Sequence, residues 1–300
     1  MTEAEFLARL RTLPLHPGAH GLRDDAAVLA GMVVTTDTLV EGVHFLPGDP
    51  PADVAWKLVA TNLSDLAAKG ALVEGIMLNH PLTDTVWDSD FLDGLAAVLA
   101  AFDCPLIGGD TVSLLPGAPR VLTVTAFGVD AAAPARTGAR AGDVLWVTGT
   151  IGDAGQGLAI AKGAAGDAAL LARYRRPVPR LAEGRALAPF AHAMMDVSDG
   201  LLIDAGRMAA ASGLAVTVDL ATVPLSAAYR ASAGDDLAAR LVAATAGDDY
   251  ELLFAAPSDW TPAVAATRIG RFAEGEGLSL WHDREPVEVP ARLGFEHGVI

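Results

Sequence analysis

The sequence contains one cysteine, Cys104, among its 300 residues, so it cannot form an intrachain disulfide. We therefore expect a reducing, cytoplasmic location. No uncharged apolar run reaches the ~18 residues that a membrane span requires, and the N-terminal segment lacks the apolar core of a signal peptide. No association with a membrane is expected.

Positive charge is also scarce. Lys and Arg number 21 against 37 Asp and Glu, which gives a net charge of −16. Such a chain repels the phosphates of nucleic acids and anionic lipids, so we expect no nucleic-acid partner. If the protein binds a phosphate compound, something other than its net charge must supply the positive charge.

Several common catalytic motifs are missing as well. The chain has no GxxxxGK[ST], GxGxxG, HExxH or GxSxG sequence, which excludes a P-loop protein and argues against the other three site types. Hydrophobic residues nevertheless make up 52% of the chain and charged residues 19%. This composition excludes a disordered chain and predicts a well-packed core.

The length of the chain and the alternation of expected strands and helices in both halves indicate an α/β (α+β) protein of two domains. A Pro-, Ala- and Gly-rich stretch at 131–143 is the best boundary, and we divide the chain into domains 1–137 and 138–300. Periodicity predicts helices at 2–12, 52–69, 88–102, 150–162, 179–189 and 200–212, and strands at 32–37, 71–78, 105–110, 121–129, 144–149, 214–219 and 250–256.

Acidic residues recur at the ends of apolar segments, beside Gly, Ser or Thr: Asp24, Asp25, Asp37, Asp65, Asp110, Asp196, Asp199, Asp248 and Asp249. Buried carboxylates are costly unless they are paired or bind a metal, and the chain has few basic partners for them. Carboxylate and hydroxyl oxygens together suit Mg²⁺. The pattern therefore predicts a site for Mg²⁺.

Each acid taken alone has an ordinary explanation. Ser198 or Asp199 could cap the helix that begins near residue 200. The pairs at 24–25 and 248–249 could lie in turns, and Asp65 could be a solvated helix residue. The prediction of a metal site depends on the acids taken together.

Glycines provide a second pattern. Gly108 and Gly109 precede Asp110, and four more, Gly149, Gly152, Gly155 and Gly157, surround an expected strand-to-helix turn. Such glycines allow backbone N–H groups to approach an anion closely. For the glycines taken alone, ordinary turn formation is the better explanation, and both interpretations stay open. Together, the acids and glycines predict a magnesium-rich site that binds phosphate.

The order of these segments resembles the thiamine-monophosphate kinase family, part of the superfamily of aminoimidazole ribonucleotide synthetase. The segments that carry the resemblance extend through nearly the whole chain: RDDAAVL, TTDTLVEGVHF, NLSDLAAKGA, LIGGDT, RTGARAGDVLWVTGTIGDAGQGLA, RPVPR, MDVSDGLLIDAGRMAAASG and GDDYELLF. The resemblance implies an N-terminal ATP- and Mg-binding domain whose sheet pairs across a homodimer, and a C-terminal α/β domain.

The implied activity is ATP-dependent phosphorylation of thiamine monophosphate to thiamine diphosphate, the last step of thiamine diphosphate biosynthesis, with several Mg²⁺ ions and no general base. The implied metal ligands are Asp25, Thr35, Thr36, Asp37, Asp65, Asp110, Asp196 and Asp199. The implied ATP contacts are Gly109, Asp110, Arg136 and Ser198. The implied substrate contacts are His44, Asp248 and Phe295. The chain departs from the family pattern at Arg23 and Ala246, where the family has glycine.

Two alternatives remain open at this point. The chain could be another ATP-dependent synthetase of the superfamily that acts on a different phosphate acceptor. It could also be a regulatory protein that binds Mg–ATP without turnover. The acceptor pocket around His44 and residues 246–251 distinguishes another synthetase from a thiamine-monophosphate kinase. An assay for product distinguishes a regulatory protein from an enzyme.

Overall fold

The computed structural model describes residues 2–297. Its helices are α1 (Glu3–Leu10), α2 (Pro51–Ala68), α3 (Thr85–Ala101), α4 (Asp153–Ala161), α5 (Ala168–Arg175), α6 (Leu181–Leu187), α7 (Leu201–Ser212), α8 (Ala227–Ala233) and α9 (Leu237–Thr245). Its strands are β1 (Ala27–Leu29), β2 (Met32–Val40), β3 (Leu72–Leu82), β4 (Leu106–Ser113), β5 (Val121–Val129), β6 (Val144–Thr148), β7 (Ala193–Asp196), β8 (Ala215–Asp219), β9 (Leu252–Ala256), β10 (Ala266–Ala273), β11 (Gly277–His282) and β12 (Glu285–Val287). No helix among these is both long and apolar enough to cross a bilayer.

The N-terminal sheet has the strand order β1-β2-β5-β3-β4. β5 pairs antiparallel with both β2 and β3, and its alternating burial places Leu122, Val124 and Ala126 in the core with α2 and α3. β4 pairs with β3 on one side and forms an edge of the sheet in the single chain. Its apolar Leu106 and Ile107 are exposed, which is unusual for an edge strand of a soluble monomer.

The C-terminal sheet has the strand order β12-β11-β8-β10-β6-β9-β7. Every residue of β9 is buried, as expected for a strand that is covered on both faces. The predicted α/β (α+β) architecture with two sheets is therefore confirmed. The strands of the two sheets lie within residues 27–129 and 144–287, while the division at 137/138 stays a prediction.

Helix α2 lies between the two domains. It is buried from Val54 to Ala68 except at the half-buried Trp56, because one side packs on the N-terminal sheet and the other meets α6 and β7. Gly184 of α6 allows the close approach, since a Cβ atom there would lie 2.0 Å from the carbonyl oxygen of Ala67. The polar residues of α2 are consequently held at the domain junction.

The structure corrects several local predictions. The strand predicted at 32–37 continues to Val40, so Asp37 lies within β2 rather than at its end. Gly108 and Gly109 lie inside β4 rather than in a turn, and a Cβ on Gly109 would lie 1.8 Å from the carbonyl oxygen of Leu78. The sequence patterns also missed elements that the structure contains: β1, β7, β10–β12, α5, α8 and α9.

Candidate active site at the domain junction

Three buried acids from distant parts of the chain meet at the domain junction. Asp25 precedes β1, Asp65 lies on α2 and Asp196 ends β7. One carboxylate oxygen from each lies within 4.8 Å of the other two. The described residues thus bring together three of the acids predicted to bind metal, with hard oxygen donors facing one another.

The electrostatics of this cluster favour a bound cation. Burial and the nearby charges of Asp37 and Asp196 raise the pKa of Asp65 well above its usual range. Burial and the charge of Asp25 raise the pKa of Asp196 to about 8. A cation among these carboxylates would relieve both the desolvation and the repulsion, so the donor set fits Mg²⁺.

Asp37 and Asp199 border the cluster. Burial, together with the charges of Asp25 and Asp199, raises the pKa of Asp37 to about 6. Asp199 follows β7 and binds the guanidinium of Arg207. Five of the predicted metal ligands are therefore close enough for their charges to affect one another's ionisation: Asp25, Asp37, Asp65, Asp196 and Asp199.

Asp25 differs from the other acids because it has protein cations beside it. Burial opposes its ionisation, but Lys69 and Arg136 outweigh burial and hold the pKa of Asp25 below its usual value. Lys69 Nζ lies 3.0 Å from Asp25 Oδ2, and the Arg136 guanidinium binds Asp25 Oδ1. Arg136, a predicted ATP contact, is thus placed at the acid cluster.

Hydrogen bonds from uncharged hydroxyl groups orient Asp65 and Asp196. The Thr35 hydroxyl donates to Asp65, and the Ser64 hydroxyl donates to Asp196 Oδ2 over 2.6 Å. Thr36, by contrast, donates to the carbonyl oxygen of Val124 in the neighbouring strand and is exposed. The structure therefore brings Thr35 into the cluster, whereas the Thr36 hydroxyl bonds within the sheet. Ser64 was not identified from the sequence.

Ser198 and Asp199 lie on a loop that a buried acid holds in place. Asp204, which has no exposed surface, accepts hydrogen bonds from the backbone N–H groups of Ser198, Asp199 and Gly200, each over 3.2 Å. Burial and the charge of Asp199 raise its pKa to about 7. Asp204 was not identified from the sequence, although an acid in the first turn of a helix, close to its free backbone N–H groups, is a recognisable signal.

A second group of polar residues adjoins the acids. Asp248 Oδ2 lies 2.7 Å from Lys57 Nζ of α2, and Asp248 Oδ1 accepts a hydrogen bond from the Tyr250 hydroxyl over 3.0 Å. Lys57 also donates to the carbonyl oxygen of His44 and lies 4.2 Å from the centre of the Tyr174 ring. Lys57 therefore links two of the predicted substrate contacts, Asp248 and His44.

The third predicted substrate contact lies beside them. The rings of His44 and Phe295 are 6.4 Å apart, and the backbone N–H of Phe295 donates to the carbonyl oxygen of Asp199. Burial and the neighbouring His297 lower the pKa of His44, which favours the neutral imidazole. His44, Asp248 and Phe295 thus adjoin the acid cluster through the Ser198–Asp199 loop, because Asp248 also donates its backbone N–H to the carbonyl oxygen of Ser198.

Gly109 and Asp110 are not brought to this site within one chain. Both lie on β4, which β5 and β3 separate from β2, a distance of about 14 Å across the sheet. The side chain of Asp110 is exposed and accepts a hydrogen bond from the N–H of Thr111.

The glycines around residues 149–157 have a different role from the one predicted. The N–H of Gly152 donates to both carboxylate oxygens of Asp249 over 2.9 Å, so a protein carboxylate occupies the position proposed for an anion. A Cβ on Gly149 would lie 2.1 Å from Glu251 Oε1. Glu251 is fully buried and is held by Arg173 over 2.6 Å and Arg180 over 2.5 Å. Close packing explains these glycines.

The two departures from the family pattern leave the backbone unstrained. Arg23 has a φ of −123° and Ala246 a φ of −79°, values that any residue adopts. Neither position therefore requires glycine for its backbone conformation.

Comparison with known proteins identifies the family. Models described as AIR synthase related protein, N-terminal and C-terminal domains, match residues 23–129 and 140–283. A thiamine-monophosphate kinase of Caulobacter vibrioides is 42% identical over 99% of this chain and 91% of that protein. The chain belongs to the thiamine-monophosphate kinase family.

Solved structures agree with this assignment. A thiamine-monophosphate kinase from Stenotrophomonas maltophilia K279a is 40% identical, with a TM-score of 0.77 over 96% of this chain and 99% of that one. A structure described as AaThiL complexed with AMPPCP and TMP is 30% identical, with a TM-score of 0.81 over 95% and 99% of the two chains. The prediction of a thiamine-monophosphate kinase family member is therefore confirmed, while the roles of individual residues stay predictions.

Proposed function

We propose that this chain catalyses the ATP-dependent phosphorylation of thiamine monophosphate to thiamine diphosphate. The family assignment and the AaThiL complex with AMPPCP and TMP support this activity. The observation that carries it is the position of the acid cluster of Asp25, Asp65 and Asp196 beside the group of His44, Asp248 and Phe295. One region suits metal-bound phosphates and the other suits a cationic acceptor.

The acid cluster would hold Mg²⁺ through Asp25, Asp37, Asp65, Asp196 and Asp199, with Thr35 as an additional oxygen donor. Bound Mg²⁺ would reduce the repulsion between the donor and acceptor phosphates, which is the main barrier to transfer between two anions. The protein itself fixes the carboxylates on α2, β2 and β7 and therefore orients the phosphates for in-line transfer.

The reaction requires no general base. The acceptor is a phosphate monoester whose second pKa is ~6, so its oxygen is already ionised at neutral pH. His44 lies beside the site, favours its neutral form and packs against Phe295. We assign His44 to binding of the acceptor rather than to proton transfer.

The acceptor pocket suits the thiazolium and aminopyrimidine rings of thiamine monophosphate. Asp248 supplies a negative charge, and the aromatic face of Phe295 can stack on a cationic ring. Lys57 holds Asp248 from one side and Tyr250 holds it from the other, so the carboxylate is kept in a fixed orientation.

A homodimer through the N-terminal sheet is part of this proposal. The exposed apolar residues of β4, Leu106, Ile107 and Val112, would be covered in such a dimer. A dimer would also offer Gly109 and Asp110 to a neighbouring chain, which would explain why these predicted ATP contacts lie apart from the acid cluster in one chain. A cytoplasmic location remains a prediction made from the sequence.

The test is an assay of purified protein with thiamine monophosphate, ATP and Mg²⁺, followed by chromatography of thiamine diphosphate. Asp65→Asn should abolish product formation, and the matched substitution of an exposed acid, Asp259→Asn, should leave it unchanged. Turnover of another phosphate acceptor but not of thiamine monophosphate would favour a different synthetase of the superfamily. Binding of Mg–ATP without turnover of any acceptor would favour a regulatory protein.

A further inference from the structure

Lys69, at the end of α2, has its ammonium group inside a cage of four oxygen atoms. Nζ lies 2.5 Å from Asp24 Oδ1, 3.0 Å from Asp25 Oδ2, 3.2 Å from the carbonyl oxygen of Met194 and 3.3 Å from that of Pro134. The residue is 2% exposed. Two carboxylates and two carbonyls around one buried cation are an arrangement that hard metal ions also use.

The cage joins separate parts of the molecule. Its oxygens come from the loop before β1, from the segment between the two domains and from β7. Met194 lies two residues before Asp196, and Lys69 lies four residues after Asp65 on α2. Lys69 is therefore attached to the same segments that supply the acid cluster.

The other acids of the cluster have no comparable partner. Among the described residues, Asp37, Asp65 and Asp196 form no ion pair, whereas both oxygens of Asp25 are engaged by Lys69 and Arg136. Positive charge from the protein is thus concentrated on one side of the cluster. The negative charge on the other side is left for a bound cation.

We propose that Lys69 is a fixed cation of the active site, a positioning residue that holds Asp24 and Asp25 and reduces the number or affinity of divalent ions at the cluster. This proposal rests on the metal site described under the proposed function. Burial of an isolated ion pair adds little stability in general, because desolvation offsets the attraction. The geometry points instead to a function of the charge itself. The ammonium group of Lys69 lowers the negative potential that attracts divalent ions to the cluster.

The test measures Mn²⁺ binding in the absence of nucleotide by electron paramagnetic resonance of the free ion. Lys69→Met removes the charge at similar length, whereas Lys69→Arg keeps the charge. We expect Lys69→Met to bind Mn²⁺ at least about tenfold more tightly than the wild type, or to bind an additional ion, because a nearby unit charge no longer opposes the ion. Lys69→Arg should resemble the wild type.

Thermal unfolding supplies a second readout. Mn²⁺ should raise the melting temperature of Lys69→Met more than that of the wild type, since the ion replaces the lost charge. Lys162→Met, at an exposed position after α4, is the matched control and should behave as wild type in both measurements. If Lys69→Met does not fold, Lys69→Gln takes its place, because the amide can still donate a hydrogen bond to Asp24. If neither folds alone, recovery of folded protein on refolding with Mn²⁺ supports the proposal, and no recovery overturns it.

The outcomes separate this proposal from the one on which it rests. Wild-type protein that binds Mn²⁺, together with a folded Lys69→Met protein that binds it equally or more weakly, would overturn the fixed-cation role alone. Absence of Mn²⁺ binding in the wild type and in every variant would overturn the metal site itself, and the role of Lys69 with it.

Discussion

Replacement of Asp37 by asparagine should stabilise the metal-free protein at neutral and alkaline pH. Asp37 lies within β2, half-buried, and burial together with the charges of Asp25 and Asp199 raises its pKa from 3.8 to about 6. A raised carboxyl pKa means that ionisation is less favourable in the folded state than in the unfolded state. Asparagine has nearly the same shape and cannot ionise, so it removes this cost.

The size of the effect follows from the pKa values. An increase from 3.8 to about 6 corresponds to about 3 kcal/mol, at ~1.4 kcal/mol per pH unit. This is an upper value, because solvent screens a half-buried group. Well below pH 3.8, Asp37 is protonated in both states and the substitution should have little effect. The gain should develop between about pH 4 and pH 6 and remain constant above that range.

The assay is urea unfolding of Asp37→Asn and wild type in EDTA at pH 4, 6 and 8. Asp110→Asn is the matched control, since Asp110 is exposed on the edge strand β4 and lies apart from the cluster. Both variants should lose phosphoryl transfer, but only Asp37→Asn should gain stability. An equal or lower stability of Asp37→Asn at pH 8 would show that this carboxylate is a structural partner and that the raised pKa assigned to it is wrong.

Three further predictions concern residues around the site. Lys57→Met should raise KM for thiamine monophosphate at least about tenfold, with little change in KM for ATP, because Asp248 loses its fixed orientation; equal changes in both values would contradict this role. Glu251→Gln should destabilise the protein by about 3 kcal/mol in urea unfolding, because the fully buried Glu251 carboxylate is the counterion of two half-buried arginines, Arg173 and Arg180. Gly184→Ala should lower stability by about 1–3 kcal/mol through overlap with the backbone of α2, whereas Gly206→Ala, which has open space around it, should be neutral or slightly stabilising.

The sequence was sufficient to predict much of the fold and the position of most acids. The apolar periodicity of α2 and the alternation of β5 predicted both elements closely, because each buries a continuous face. The strands β10–β12 were missed because their apolar residues are few and because a register shift interrupts the alternation of β10. Gly109 was ambiguous because a glycine that accommodates a neighbouring strand and a glycine that approaches an anion look the same in a sequence.

The supporting residues could not have been predicted in the same way. Lys57 and Ser64 have no local motif that distinguishes them from ordinary helix residues, and their roles depend on partners up to 191 residues away. A carboxylate such as Asp65 was noticed because acids are costly to bury. Nothing in the sequence marks a lysine on the same helix as buried, since lysine is rarely buried without a partner.

Helix α2 connects the two halves of the proposed reaction. Lys57, near its beginning, binds Asp248 of the acceptor pocket, and Lys69, just past its end, binds Asp24 and Asp25 of the acid cluster. These two lysines are twelve residues apart, which is about 18 Å along a helix axis. Both also contact the C-terminal domain, Lys57 through Asp248 and Lys69 through the carbonyl oxygen of Met194. A displacement of one domain relative to the other would therefore disturb the proposed acceptor pocket and the acid cluster together, so in the proposed reaction the alignment of the two phosphates would depend on the packing of this single helix.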